Sequence, residues 1–502
     1  MKSMFMKLLK KQSGMNTKHF SEEHVLSGST NRTLNFLLMK YIQKIGLLVL
    51  LAFFFACDTL DVEPLDKIPA EDAIKDEKGL AAAINGVYDQ LQSVGFAEDA
   101  LTFADLAADN LIHRGSKKEY RQISDNRLTP DNIYIAGIWN SCYDGINRVN
   151  NIIVALDDVE GVSEAAFNKY AGQAYFLRAL NYFTLVKYFG GVPLKQTPTE
   201  GASPEDLNIL RASVQQVYQF IISDLQTAET LLDEYTPATS AYAGKYAVKA
   251  LLARTYLYYS QYEDRYSDAA DKALEVIESG EYSLASDSAA YAAIFDEENA
   301  SGEIIFHIDF TNDDDNNALA DWFNINGRFE VAAWDTYDRI TSIADAYEEE
   351  DNRKFVTIQS GVYEGRDEYY CVKYDDTKTR NDNVIILRLA EMYLIRAEAL
   401  NKMSYVANGE AFDLLNAVRE RVNATPFSAG DLPGGTPFGL AIQEERRLEL
   451  AFEGHRLFDL RRSGIINDVL PDIGNMATNG WIFPIPQSEI DTNPAMTQNG
   501  NY

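Results

Sequence analysis

The chain has 502 residues and a formal net charge of −31. An apolar content of 46% is enough to build a large core, which excludes an intrinsically disordered protein. Residues 1–56 carry eight Lys/Arg against two Asp/Glu, so the rest of the chain holds −37; such a surface repels phosphate backbones and excludes nucleic acid as a partner.

The first predicted element lies inside the chain. Residues 39–56 place Lys40 and Lys44 before a 12-residue apolar run, Ile45–Ala56. That run is too short to span the ~30 Å of a bilayer, which takes about 20 helical residues. It has the form of a signal peptide. The small Ala56 before Cys57 matches a lipoprotein cleavage site, with Phe54 where leucine is usual. Cys57 is therefore the predicted lipidation site, anchored by acyl chains at ~0.8 kcal/mol per buried methylene. The expectation for residues 1–38 is that either translation begins at Met39 or they are a dispensable extension. Residues 58–70 are acidic, contain Pro64 and Pro69, and read as an extended tether.

From about Glu71 helical periodicity takes over, and residues 71–502 are read as one domain. Residues 165–191 predict a long helix closed by Gly190 and Gly191. Residues 213–234 open with a capping box, Ser213 and Gln216. Their apolar positions Val214, Val217, Ile221, Leu225, Ala228 and Leu232 draw one buried face. Residues 245–262 with 267–280, and 384–402 with 409–422, predict two helix pairs rich in alanine where helices cross. Hairpins of this kind resemble tetratricopeptide units. The predicted class is mostly α: tetratricopeptide-like helical hairpins with long irregular loops. Between about Glu281 and Asn383 the pattern breaks. Glu303–Phe310 reads as a short strand and the rest as ordered loop, which in a helical scaffold is usually functional.

Signs of catalysis are absent. There is no HExxH, GxSxG, Walker A or GxGxxG motif. His113, His307 and His455 lack metal-ligand spacing. Cys142 and Cys371 are expected to be buried small hydrophobes rather than a disulfide. Asp313, Asp315 and Asn317 have calcium-loop spacing, but the sixth-position glycine is missing and the twelfth residue is Asn324; a solvated acidic loop is the expected reading. No metal and no cofactor is predicted. Residues 441–464 are read as a helix laced with ion pairs, Glu444–Arg447 and Glu453–Arg456. The alternative there is an anion site made by Arg446, Arg447, Arg456, Arg461 and Arg462.

Several motifs, taken in order, resemble the SusD/RagB nutrient-binding lipoproteins of Bacteroidetes. They are CDTLDVEP (57–64), IWNSCYDGINRVNNII (138–153, with Trp139 and Asn147), QAYFLRALNYFTLVKYFGGVPL (173–194), LRLAEMYLIRAEALN (387–401), ERRLELAFEGHRLFDLRR (445–462) and FPIPQSEIDTNPAMTQNGNY (483–502). The resemblance runs from Cys57 to Tyr502. It implies a helical, non-catalytic protein at the outer membrane, facing the exterior. Such a protein captures oligosaccharides, or in some members peptides, for a SusC-type TonB-dependent transporter. A glycosidase or a purely structural adaptor is the reading from another class.

Sugars present flat C–H faces and polar rims, held by exposed rings with amides, carboxylates and arginines. Trp139, Tyr182, Phe183 and Tyr256 lie on helical faces and are expected in the core. Residues 321–339 place Trp322, Phe323, Phe329, Trp334 and Tyr337 among Asn324, Asn326 and Arg328, outside any periodic element. A second polar loop, 110–122, holds Arg114 and Tyr120. The predicted site has Trp322 stacking on a sugar ring while Asn324 and Arg328 bond its hydroxyls. The alternative is that Trp322 and Trp334 pin a long loop to the scaffold.

Overall fold

The computed structural model describes residues 74–199, 201, 208–295, 301–311, 316–332, 342–470 and 474–502. Cys57, Asp313, Asp315, Trp334 and Tyr337 lie outside them.

The principal helices, in chain order, are α1 (Glu77–Leu91), α2 (Ala100–Leu106), α3 (Lys118–Ser124), α4 (Ile133–Ala155), α5 (Glu164–Phe189), α6 (Val214–Leu231), α7 (Lys245–Tyr259) and α8 (Tyr266–Ile277). After a mixed segment come α9 (Leu319–Phe323), α10 (Leu389–Met403), α11 (Glu410–Glu420), α12 (Gly435–Glu449) and α13 (Arg456–Ser463). From α4 to α8 each helix packs on the next, and α10 and α11 continue the array on α8. The predicted hairpin architecture is thus observed.

Local chemistry explains the ends. Ser213 accepts from the backbone of Gln216, whose side chain reaches back to the cap, so the capping box starts α6 as predicted. Helix α5 ends at Gly190, whose φ of 71° suits only glycine well. The same helix is apolar nearly all round and is buried in the middle of the array. Arg178, buried within it, is held by two 2.8 Å bonds to Asp224 of α6 and one of 2.9 Å to Asn150 of α4. Three helices are thereby fixed in register. Arg396 does the same further on, bonding the carbonyl of Ala270 in α8 and the carboxylate of Glu410 in α11. Trp139, Tyr182, Phe183 and Tyr256 are all core, and Cys142 and Cys371 are buried free thiols.

Two sheets depart from the sequence reading. The expected strand is β2 (Ile304–Ile308), and its antiparallel partner is β6 (Val384–Arg388). The sequence reading places these five residues at the start of a helix; Val384, Ile385 and Ile386 are β-branched, all but Ile386 are buried, and the sheet partner overrides helix propensity. A second antiparallel sheet of order β1-β3-β5-β4 gathers β1 (Leu111–His113), β3 (Phe329–Val331), β4 (Ile358–Tyr363) and β5 (Arg366–Cys371) from the supposed loops. The β4–β5 turn is Glu364–Gly365, with φ of 48° and 79°. Both signs are positive, as a type I′ hairpin turn requires. Strands of three residues are too short to show a period, so they were invisible in sequence.

Candidate functional site

The two polar loops singled out in sequence meet. Strand β1 pairs with β3, setting His113 opposite Phe329 and Leu111 opposite Val331. The ladder continues one step beyond, where Arg114 N–H donates to Arg328 O at 3.0 Å. Residues more than two hundred positions apart thus share one edge of the sheet.

At that edge the aromatic rings form a closed cluster. Tyr120 stacks on Tyr134 with centroids 4.3 Å apart and meets Phe329 and Trp322 edge-on at 5.3 and 6.3 Å. Trp322 is only 4% exposed, Phe323 and Tyr120 1%. Arg328 lies 4.6 Å above the Trp322 ring and donates to the Tyr120 hydroxyl at 2.8 Å. This corrects the expected role of Trp322. Its face is already covered by a guanidinium and its edge by rings, so it supports the surface rather than presenting an open platform. Phe323 points further in, stacked on Tyr374 at 5.9 Å. Gly327 permits the fold-back, because a Cβ there would lie 2.3 Å from the Trp322 carbonyl oxygen.

The polar residues divide similarly. Asn324 donates to the carbonyls of Ala320 and Asp321 and accepts from Asn326 N–H at 2.8 Å, so its amide shapes the turn. Arg114 fastens the sheet: it bonds Ile325 O and Glu368, lies 3.7 Å from Glu330, and covers the Tyr363 ring at 4.1 Å. The residues that reach outward are Arg328, Asn326, Lys117, Tyr134 and Tyr363. Lys117 bonds the Tyr134 hydroxyl and sits 4.8 Å from its ring. Sequence reading did not single out Tyr134. The available signal was Asn132, which caps Tyr134 N–H and so places that ring in the first helical turn, at the scaffold's rim.

Beneath this surface a π-helical turn, Val94–Asp99, buries two adjacent carboxyls. Turns of this kind recur at functional sites. Glu98 is 3% and Asp99 2% exposed, and each has one oxygen without a hydrogen-bond partner among the described residues. Burial pushes the Glu98 carboxyl up to about 7, against a backbone bond from Ala318 and the charges of Arg328 and Arg380. Burial, and then Glu98 itself, raises Asp99 well above the carboxylate range. A raised folded pKa favours the protonated fold, so this stability is complete below the ordinary Glu value and is lost as pH rises towards about 7. Glu98→Gln is therefore expected to raise Tm at about pH 8 and leave it unchanged at about pH 4. Melting curves across that range check this, and an equal gain at both ends would contradict it.

The arginine-rich stretch is not an anion site. Its expected single helix is broken at Leu450–His455 between α12 and α13. Glu444 does pair with Arg447 at 3.3 Å, but Glu453 pairs with Arg388 and Lys373, and Arg456 with Asp109. Arg446 is bound by Asp459, Arg462 by Glu398 and Asp459, and Arg461 by the carbonyls of Lys187 and Trp481. Burial opposes ionisation of Asp109, yet Arg447 and Arg456 outweigh it and hold the carboxyl at about 2. In the would-be calcium loop, Asn317 is engaged otherwise: its Oδ1 accepts from Leu319 N–H at 3.0 Å and its Nδ2 donates to Asp382 O at 2.6 Å.

Comparison with known proteins gives one answer. Residues 58–257 match the family model described as starch-binding associating with outer membrane, and residues 352–502 match that of the SusD family. A SusD-like protein of Formosa agariphila is 27% identical over 512 residues, covering 91% of this chain and 98% of the relative. The starch-binding protein SusD of Bacteroides thetaiotaomicron is 26% identical over 436 residues, covering 69% of this chain and 75% of the relative. Among solved structures, a laminarin-binding SusD-like protein superposes with a TM-score of 0.72 at 26% identity, covering 85% of this chain and all of that one.

Proposed function

Because the chain belongs to the SusD/RagB family, we propose that it captures oligosaccharides at the cell surface, without catalysis, and delivers them to a SusC-type TonB-dependent transporter. The observation that carries this reading is the edge where β1 meets β3. There the partly exposed ring of Tyr134 stands against Lys117 and Tyr120, Arg328 bonds the Tyr120 hydroxyl, and the partly exposed Tyr363 lies under Arg114. A ring with a hydrogen-bonding rim is what a sugar needs. The starch- and laminarin-binding relatives support the ligand class. Trp334 and Tyr337, in the same chain segment, remain candidates for the rim.

Laminarin and soluble starch are the first ligands to test, by affinity electrophoresis and calorimetry. Retention without new reducing ends supports capture. Exclusive binding of peptides overturns the glycan class, and release of reducing ends overturns the non-catalytic reading. Tyr134→Ala is expected to weaken glycan affinity roughly tenfold, since removing an aromatic stack costs ~1–3 kcal/mol and 1.4 kcal/mol is a factor of ten. Its Tm should move little, because the ring is only half buried. Unchanged affinity in this variant would remove Tyr134 from the site.

The anchor is proposed to be lipid on Cys57. Among the described residues no helix is long and apolar enough to cross a membrane. Cys57→Ala is expected to release most protein from the membrane fraction. Mild detergent extraction of the native protein should co-purify a large β-barrel. Retention of the variant after a high-salt wash counts against the anchor, and a lone lipoprotein in the extract counts against the transporter.

A further inference from the structure

A second cleft lies apart from this surface, between the C-terminal half of α1, the turn Thr239–Tyr242 and the end of β2. Its volume is about 660 Å³, within the roughly 300–1,000 Å³ of ligand clefts. Its walls are fixed by bonds between distant segments. Gln92 holds the Asp309 carbonyl at 2.7 Å, His307 N–H bonds Ser240 O at 3.0 Å, and Ala243 N–H bonds the Tyr88 hydroxyl at 3.0 Å. The cleft is therefore preformed.

Its lining has a definite chemistry. Tyr242 is 37% exposed and is braced edge-to-face by Tyr88, with centroids 5.0 Å apart. Asn85, Asp89, Thr239 and Asp309 stand around it as hydrogen-bonding groups. His307 is 95% buried, 3.6 Å from Asp309, and its Nδ1 has no partner among the described residues. Among the described residues, no lysine or arginine is in the lining itself, and Arg148, which bonds the carbonyl of the lining Gly86 at 2.9 Å, is held by Asp144. Two carboxylates, with the neighbouring Arg148 already paired to Asp144, disfavour phosphates, sulfated glycans and uronates. A braced ring surrounded by amide, hydroxyl and carboxylate groups fits an uncharged polyol.

We infer that the cleft of Tyr88, Tyr242, Asn85 and Asp309 is a second saccharide-binding site, taking uncharged glycan. The inference rests on the glycan-capture reading. Two sites on one chain let a long polysaccharide engage both, so its avidity exceeds that of either alone.

The test uses laminarin oligosaccharides and maltoheptaose as neutral probes and an oligogalacturonate as the anionic one, by calorimetry on the whole chain. The expected result is two binding events for a neutral probe. Tyr242→Ala should abolish one of them, or weaken it about tenfold, and leave the event sensitive to Tyr134→Ala intact. Asn85→Leu, on an exposed helical position, blocks the same cleft should the tyrosine variant fold poorly. The anionic probe should leave the cleft empty. A single event unaffected by Tyr242→Ala and Asn85→Leu overturns the second site while the capture reading stands. Loss of anionic rather than neutral binding in these variants overturns the ligand class. No glycan binding by the unmodified protein overturns both.

Discussion

Glu449→Ala is expected to bring the protein to the edge of unfolding. Glu449 is fully buried at the end of α12, and its carboxylate serves three arginines. It accepts from Arg353 at 2.9 Å, from Arg388 at 2.5 Å and from Arg421. Arg353 and Arg388 are themselves buried and reach on to Asp351, Glu445, Glu303 and Glu453. One carboxylate thus joins α12 to β6, to the short helix at Arg353–Thr357 and to the loop after α11. Removing one partner of a buried pair costs about 3–5 kcal/mol, because a desolvated charge is left uncompensated. Total stability is only about 5–15 kcal/mol. Burial opposes ionisation of Glu449, but Arg421, Arg388 and Arg353 together hold its carboxyl far below the ordinary range. For a depressed pKa the stability is present above the ordinary Glu value and is lost as pH falls below it. The variant should therefore differ most from the parent near neutrality and converge with it in acid. Glu444→Ala is the control, since Glu444 is 45% exposed and its pair with Arg447 is worth ~0–1 kcal/mol. Equal Tm losses in the two variants would refute the special place given to the network.

Trp322→Ala is expected to cost about 3–5 kcal/mol, as for a large buried aromatic. The ring is 96% buried among Tyr120, Phe329 and the Arg328 guanidinium, and its loss opens a cavity beneath the β1–β3 edge. Tm should fall by several degrees, and glycan affinity should fall through disorder of Arg328 rather than loss of a stack. Tyr134→Ala should show the reverse pattern, with affinity lost and Tm kept. A Trp322→Ala protein with unchanged Tm and tenfold weaker binding would restore the indole as a direct contact.

The sequence separated the two aromatic populations of this chain unevenly. On long helices the 3.6-residue period assigned Trp139, Tyr182, Phe183 and Tyr256 to the core correctly, because a continuous stripe has only one buried face. In residues 321–329 there is no period to read, and sequence alone leaves open whether Trp322 stacks on a ligand or pins the loop. The burial of Trp322 arises from Tyr120, two hundred residues earlier, and from a three-residue strand pairing. Neither leaves a local mark. The loops themselves, 110–122 and 321–339, both stand out by their composition; the meeting of 110–122 with the described part of 321–339 was not foreseeable.

The same division holds across the molecule. Helix ends, the capping box at Ser213, the buried face of α6 and the order of helical hairpins follow from the sequence, since each depends on residues within a turn or two of one another. The partners of the arginines do not. In residues 441–464 spacing promised local i, i+3 pairs, and one of the two formed; the other was lost where the chain breaks at Leu450–His455 and Arg456 found Asp109, more than three hundred residues away. A buried charge takes whichever opposite charge the packing brings to it, because desolvation penalises any that stays unpaired. Which carboxylate that is, and which rings stay open to a ligand, only the tertiary structure decides.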